Sequence, residues 1–152
     1  MALNKELINN IITVTSKAAI SCYEFIGKNK KKEADKAATD SMRNELNQIE
    51  FNGEVVIGEG ELDEAPMLYI GEKLGKGGNL NVDIAVDPLE GTNFVAKNLP
   101  GALSVISIAE KGNLFNAPET YMDKIAVSNK IPYEATDLDF SIEKNIKNIA
   151  DS

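Results

Sequence analysis

The apolar residues of this 152-residue chain change their period near residue 52, and that change limits the folds open to it. Before it, apolar residues recur every three or four positions, the spacing of helices with one buried face. Ile8, Ile11, Ile12, Thr15, Ala18, Ala19, Cys22 and Ile26 mark such a face on a helix expected over residues 5–26, with Gly27 as its C-cap. A second helix is expected over 33–48, burying Ala34, Ala38, Met42, Leu46 and Ile49. Asn52-Gly53 reads as a turn. After it the pattern is that of strands, over 54–57, 82–86 and 102–109, with shorter ones over 114–116 and 122–127. The apolar stretch 67–71 fits neither type clearly. Helices first and strands afterwards, without regular alternation, indicate an α+β fold: N-terminal helices packed on a mixed, largely antiparallel sheet. Residues 1–130 are expected to form one domain. Residues 131–152 read as a polar connecting segment, in which 139–150 can form an amphipathic helix through Phe140, Ile142, Ile146 and Ile149.

Charge narrows the function. The chain carries 24 acidic against 16 basic residues, for a net charge of −8. A nucleic-acid surface needs a basic patch and an anionic membrane attracts basic segments, so neither partner is expected. There is no histidine, which removes the commonest general base and the commonest zinc ligand. Chemistry must then come from carboxylates, Lys, Thr, Tyr or a metal. Cys22 is the single cysteine and reads as core packing. Together with an N-terminus lacking a basic-then-apolar signal pattern, it suits a reducing, cytoplasmic location.

Two acidic runs end predicted strands. Gly58-Glu59-Gly60-Glu61-Leu62-Asp63-Glu64 places four carboxylates within six residues, a costly density unless solvent or cations relieve it. By itself it reads as a solvated acidic loop. Asp87-Pro88-Leu89-Glu90-Gly91-Thr92 follows the strand over 82–86. Asp87 and Glu90 could converge on one cation, and the Leu89 carbonyl could add an oxygen. The amides of Gly91 and Thr92 could hold a phosphate, with the Thr92 hydroxyl positioning a water. The plain alternative is a proline turn that closes a strand. Lys31 and Asp35 are spaced i, i+4, which alone means a surface helix pair. Taken together, two Mg²⁺ or Mn²⁺ ions held by Glu59, Asp87 and Glu90 would account for the carboxylates and suit attack of water on a phosphate ester.

Residues 56–72 and 82–92, with Asn116-Ala117-Pro118-Glu119-Thr120-Tyr121-Met122-Asp123-Lys124 and Ala34-Asp35-Lys36-Ala37-Ala38, closely resemble the GlpX-type class II fructose-1,6-bisphosphatases. The resemblance runs from the first helix to about residue 130. It implies the first half of a layered α/β/α/β/α fold in the lithium-sensitive sugar and inositol phosphatase superfamily. It implies hydrolysis of the 1-phosphate of fructose 1,6-bisphosphate, as in gluconeogenesis, with sedoheptulose 1,7-bisphosphate as a second substrate of some relatives. By the same resemblance Asp35, Glu59, Asp87, Glu90 and the Leu89 carbonyl match metal positions, and Asp35, Thr92 and Asp63 catalytic ones. Lys31, Glu61, Gly91, Thr92 and Tyr121 match positions near substrate. Two or more Mn²⁺ or Mg²⁺ ions and a homo-oligomer are implied. Family members are about twice as long, and their second half brings a further acidic ligand and most sugar-binding groups. Arg43 is the one arginine in this chain, so a multi-arginine phosphate clamp cannot come from it. The other readings are a related inositol or nucleotide monophosphatase, and a metal- or phosphate-binding fragment without catalysis.

Overall fold

A computed structural model describes residues 5–59, 67–115 and 122–152. Helix α1 spans Lys5–Ser21 and is followed by a single 3₁₀ turn, Tyr23–Phe25. Helix α2 spans Lys31–Leu46. The four strands are β1 (Asn52–Ile57), β2 (Lys73–Leu74), β3 (Asn81–Glu90) and β4 (Leu103–Glu110), with the short helix α3 (Thr92–Ala96) between the last two. They form one mixed sheet in the order β2-β1-β3-β4. β1 runs parallel to β3, and both outer pairings are antiparallel. This is the α+β arrangement that the order of periods implies.

The apolar stripe of α2 is buried as the pattern predicts: Ala34, Ala38, Met42 and Leu46, with Ile49 just beyond the helix. α1 differs. Its buried residues are Leu7, Val14 and Ala18, whereas Ile8, Ile12 and Ala19 face outward. The helix is apolar over a wide arc, so spacing places the buried stripe partly off: Ala18 and Cys22 of the expected face are buried and Ile11 packs against the core, but the stripe is turned toward Leu7 and Val14. The sheet offers Val55, Val82, Ile84 and Val86 to the helices, and Phe51 is fully enclosed in the same core. Asn52-Gly53 is not a turn but the start of β1. Gly53 is buried there because a Cβ would meet the Phe51 ring and Ile84 Cδ1 at 2.6 Å. Residues 67–71 lie in turns and irregular chain. The amide of Gly71 donates to the Val55 carbonyl at 2.7 Å, which holds that segment beside β1. Residues 114–115 are not strand, and residue 116 lies outside the described residues.

Contacts divide the chain into two units, residues 1–117 and 118–152. In the second, 122–127 has no regular structure, contrary to the strand expected there, because its apolar residues find no sheet partner. Helix α4 spans Ile142–Ala150, later than the expected start, since Ser141 caps it by accepting from the Lys144 amide at 3.2 Å. Phe140 lies outside the helix with Lys144 Nζ 3.4 Å from its ring centre. Asn145 is buried and closes the unit, accepting from the Asp137 amide at 3.0 Å and donating to the Asp137 carbonyl at 2.9 Å. Among the described residues, no helix is long and apolar enough to cross a membrane.

Candidate metal and phosphate site at the end of the sheet

Two irregularities of register bring the predicted acidic residues together. β3 runs through Asp87-Pro88 to Glu90 instead of turning at the proline. Asp87 pairs with Val105 and Glu90 with Leu103, so β3 spends three steps where β4 spends two. Residues three apart on a regular strand point to opposite faces; the extra residue returns Asp87 and Glu90 to the same face. The bulge also accommodates Pro88, which has no amide to give a ladder. A second shift in β1 aligns Val55 with Ile84 but Ile57 with Ala85. The pairing ends at Ile57, and two residues on, Glu59 lies near enough to Asp87 to feel its charge.

Local contacts then fix the corner. The Asp87 carboxylate accepts from the Leu89 amide at 3.1 Å, an Asx turn that shapes the strand's exit. Leu89 is buried against Ala34, Ala38, Val95 and Cys22, and this small cluster seats α2 on the end of β3. The amides of Gly27 and Asn29 each donate at 2.9 Å to α3, at the Val95 and Ala96 carbonyls, so the start of α2 is tied to the same corner. Gly91 has φ +84°, and a Cβ there would meet the Phe94 ring at 2.8 Å. The chain can therefore leave β3 and enter α3 in one residue only with glycine at this position. On the other side, a Cβ on Gly58 would strike the Leu68 carbonyl, and the Glu59 amide donates to that same oxygen at 3.0 Å.

The electrostatics record how close the carboxylates lie. Burial, then the neighbouring Asp87, Asp35 and Glu90, push the Glu59 carboxyl up to about 8. Glu59 Oε2 is buried with no hydrogen-bond partner. Glu90 is raised chiefly by its hydrogen-bonding contact with Asp87. Asp35 is raised by burial, against the opposing pull of Lys31. Among the described residues, no group of three or more Cys, Asp or Glu side chains is placed to hold a metal ion. The chemistry of the groups still suits a hard divalent cation, since a buried carboxylate oxygen without a partner, near other carboxylates, is relieved by positive charge.

Of the residues expected from sequence, the structure places Asp35, Asp87 and Glu90 around Glu59 and Asp87 against Glu90, with Lys31 near Asp35 and Leu89, Gly91 and Thr92 on the corner where β3 gives way to α3. Glu61, Asp63 and Tyr121 lie outside the described residues. A role for Arg43 was not visible in the sequence. It donates from Nε to Glu72 at 2.7 Å and from Nη2 to the Met67 carbonyl at 2.7 Å, and so fastens α2 to the chain that returns from the acidic loop. No local pattern signals this pair, because its members are 29 residues apart.

The chain is similar to curated proteins named D-fructose 1,6-bisphosphatase class 2/sedoheptulose 1,7-bisphosphatase. The protein of that name from Prochlorococcus marinus strain MIT 9313 is 50% identical over 124 residues, covering 82% of this chain and 37% of its own length. The one from strain AS9601 is 45% identical over 149 residues, covering 98% of this chain and 44% of its own length. The chain thus spans about two fifths of the curated relatives it matches. The family described as bacterial fructose-1,6-bisphosphatase, glpX-encoded, matches residues 5–152, and the chain belongs to that family.

Proposed function

We propose that this chain carries the metal-binding part of a sugar-bisphosphatase centre, a phosphoric monoester hydrolase acting on the 1-phosphate of fructose 1,6-bisphosphate, with sedoheptulose 1,7-bisphosphate as a second substrate. The observation that carries the reading is the convergence of Glu59, Asp87 and Glu90 through the two register shifts, beside an unpartnered carboxylate oxygen. Relatives named for both substrates support the choice of substrate.

Asp35, Glu59, Asp87, Glu90 and the Leu89 carbonyl would hold two or more Mn²⁺ or Mg²⁺ ions, supplying charge neutralisation for the phosphate and its leaving oxygen. The chain's own groups do the rest. Asp35, held above the ordinary carboxylate range by burial, is suited to accept a proton from water that the Thr92 hydroxyl helps to orient. Lys31 tempers that rise and adds positive charge at the rim. The glycine corner at Gly91 lets the main chain approach a phosphate closely. Asp63, Glu61 and Tyr121 are assigned to the same site, Asp63 as a catalytic group and the others near substrate. The working protein is proposed to be a cytoplasmic homo-oligomer.

A full-length version should release phosphate from fructose 1,6-bisphosphate with Mn²⁺ and lose that activity on Asp87→Asn. Hydrolysis of inositol monophosphate in preference to the sugar bisphosphate would overturn the substrate assignment. A second reading, a metal-binding fragment without catalysis, is favoured by the engagement of Arg43 with Glu72, which leaves this chain without a free guanidinium for a second phosphate. Mn²⁺ binding without turnover by the 152-residue chain fits both readings. Turnover restored by the rest of a full-length chain separates them.

A further inference from the structure

Asp35 and Arg43 lie on the same helix, α2, eight residues and about 12 Å apart along its axis. The Arg43 guanidinium forks onto the buried Glu72, Nε to Oε1 at 2.7 Å and Nη2 to Oε2 at 3.2 Å, and Nη2 also donates to the Met67 carbonyl at 2.7 Å. Both partners belong to chain that is bonded in turn to β1 and its exit. The Leu68 carbonyl, one residue on from Met67, accepts from the Glu59 amide at 3.0 Å. The Glu72 carbonyl accepts from the Val55 amide at 3.0 Å, and the Gly71 amide donates to the Val55 carbonyl at 2.7 Å. Leu68 is fully enclosed in the core, so this chain has little room to shift. One guanidinium therefore ties the helix of Asp35 to the strand of Glu59 by two routes, through Met67-Leu68 and through Glu72.

That tie works against a load. Asp35 is one of the like charges that crowd Glu59, and without a cation between them they repel. A helix free to move would relieve the repulsion by withdrawing Asp35, and an arriving cation would have to draw it back. We propose that Arg43 is a positioning residue for the metal site: through Glu72 and the Met67 carbonyl it holds Asp35 and Glu59 at the spacing a divalent cation needs, a role that rests on the reading of these carboxylates as metal ligands. Arginine suits the task because its planar fork reaches two acceptors at once, where the ammonium of a lysine is a point charge on a flexible stem. Without the tie every ligand is still present, but the cost of gathering them falls on the binding step and affinity drops.

Calorimetric titration of the 152-residue chain with Mn²⁺, run beside urea unfolding, tests it. Where both proteins are folded, Arg43→Met should bind Mn²⁺ roughly tenfold more weakly than the parent. Arg43→Met/Glu72→Leu no longer strands a buried carboxylate, so it should recover stability but not affinity, because the Met67 carbonyl stays untied. The double variant also carries the test if the single one fails to fold. Lys17→Met removes a different tie on α2, the ion pair of Lys17 Nζ with Glu45 at 2.7 Å, which joins α2 to α1 instead of β1, and should leave affinity unchanged. Affinity that recovers with stability in the double variant, or that neither Arg43 variant alters, would overturn the positioning role. An equal loss in Lys17→Met would overturn it too, since any loosening of α2 would then suffice. Asp87→Asn separates this from the reading beneath it. If the parent does not bind, or Asp87→Asn binds as tightly, the metal site itself fails and the role with it. A normal Asp87→Asn loss with indifferent Arg43 variants removes only the role of Arg43.

Discussion

Replacing Glu59 by Gln should make the metal-free protein more stable and at the same time take away its response to metal. The Glu59 carboxyl is pushed up to about 8 by burial and by Asp87, Asp35 and Glu90. The folded state therefore binds its proton more tightly than the unfolded state, where a glutamate titrates near 4.5. Stability from this group is complete below that value and declines as pH rises toward 8, after which it is constant. Each tenfold difference in proton affinity is about 1.4 kcal/mol, so the full rise would correspond to a ceiling of about 5 kcal/mol. Glu59 is only partly enclosed and solvent screens its neighbours, so about 2 kcal/mol is the expected loss. Urea unfolding in a chelating buffer should find Glu59→Gln level with the parent at pH 4.5 and about 2 kcal/mol more stable at pH 8.5, some 5 °C in melting temperature. Groups elsewhere titrate alike in both proteins and cancel in the difference. Mn²⁺ should raise the melting temperature of the parent but not of the variant. Its affinity for the parent should grow toward tenfold per pH unit below 8, since the ion displaces a proton from Glu59. Equal stability of the two proteins at pH 8.5 would refute the crowded-carboxylate account.

Arg43→Met should cost about 2–4 kcal/mol in urea unfolding, because Glu72, 8% exposed, would be left charged and unpaired. The pair Arg43→Met/Glu72→Leu should cost less than the single change, and the reverse order would contradict the ion-pair explanation. Gly91→Ala should lose about 1–2 kcal/mol, because φ +84° and the Phe94 ring both oppose a Cβ; a neutral melt would show that the corner yields freely. Burial pushes the Cys22 thiol up, so a thiol reagent at pH 8 should label the folded protein slowly and the urea-unfolded protein fast. Equal labelling rates would place Cys22 outside the core.

How far the sequence could be read depended on what each pattern competes with. The α2 stripe from Ala34 to Leu46 was legible because its other face is charged, so only one side can be buried. In α1 the outward Ile8 and Ile12 are as apolar as the inward Leu7 and Val14, and only the tertiary packing decides between them. Asn52-Gly53 has turn chemistry, yet Gly53 serves to let the Phe51 ring pass. Asp87-Pro88 likewise looks like a turn, and a bulge turns it into the last residues of a strand. The site shows the same division. Its residue types, Glu59, Asp87 and Glu90 at strand ends, could be picked from the chain. That they converge could be expected as well, but not how: the register shifts and the packing of Leu89 that seats α2 on the end of β3 are set by tertiary contacts.

The central claim is that Glu59, Asp87 and Glu90 form one metal site, and calorimetric titration of the 152-residue chain with Mn²⁺ tests it most directly. The parent should bind with release of protons at pH 7, and Asp87→Asn should lose at least about tenfold in affinity. No heat of binding from the parent, or unchanged affinity in Asp87→Asn, would contradict it.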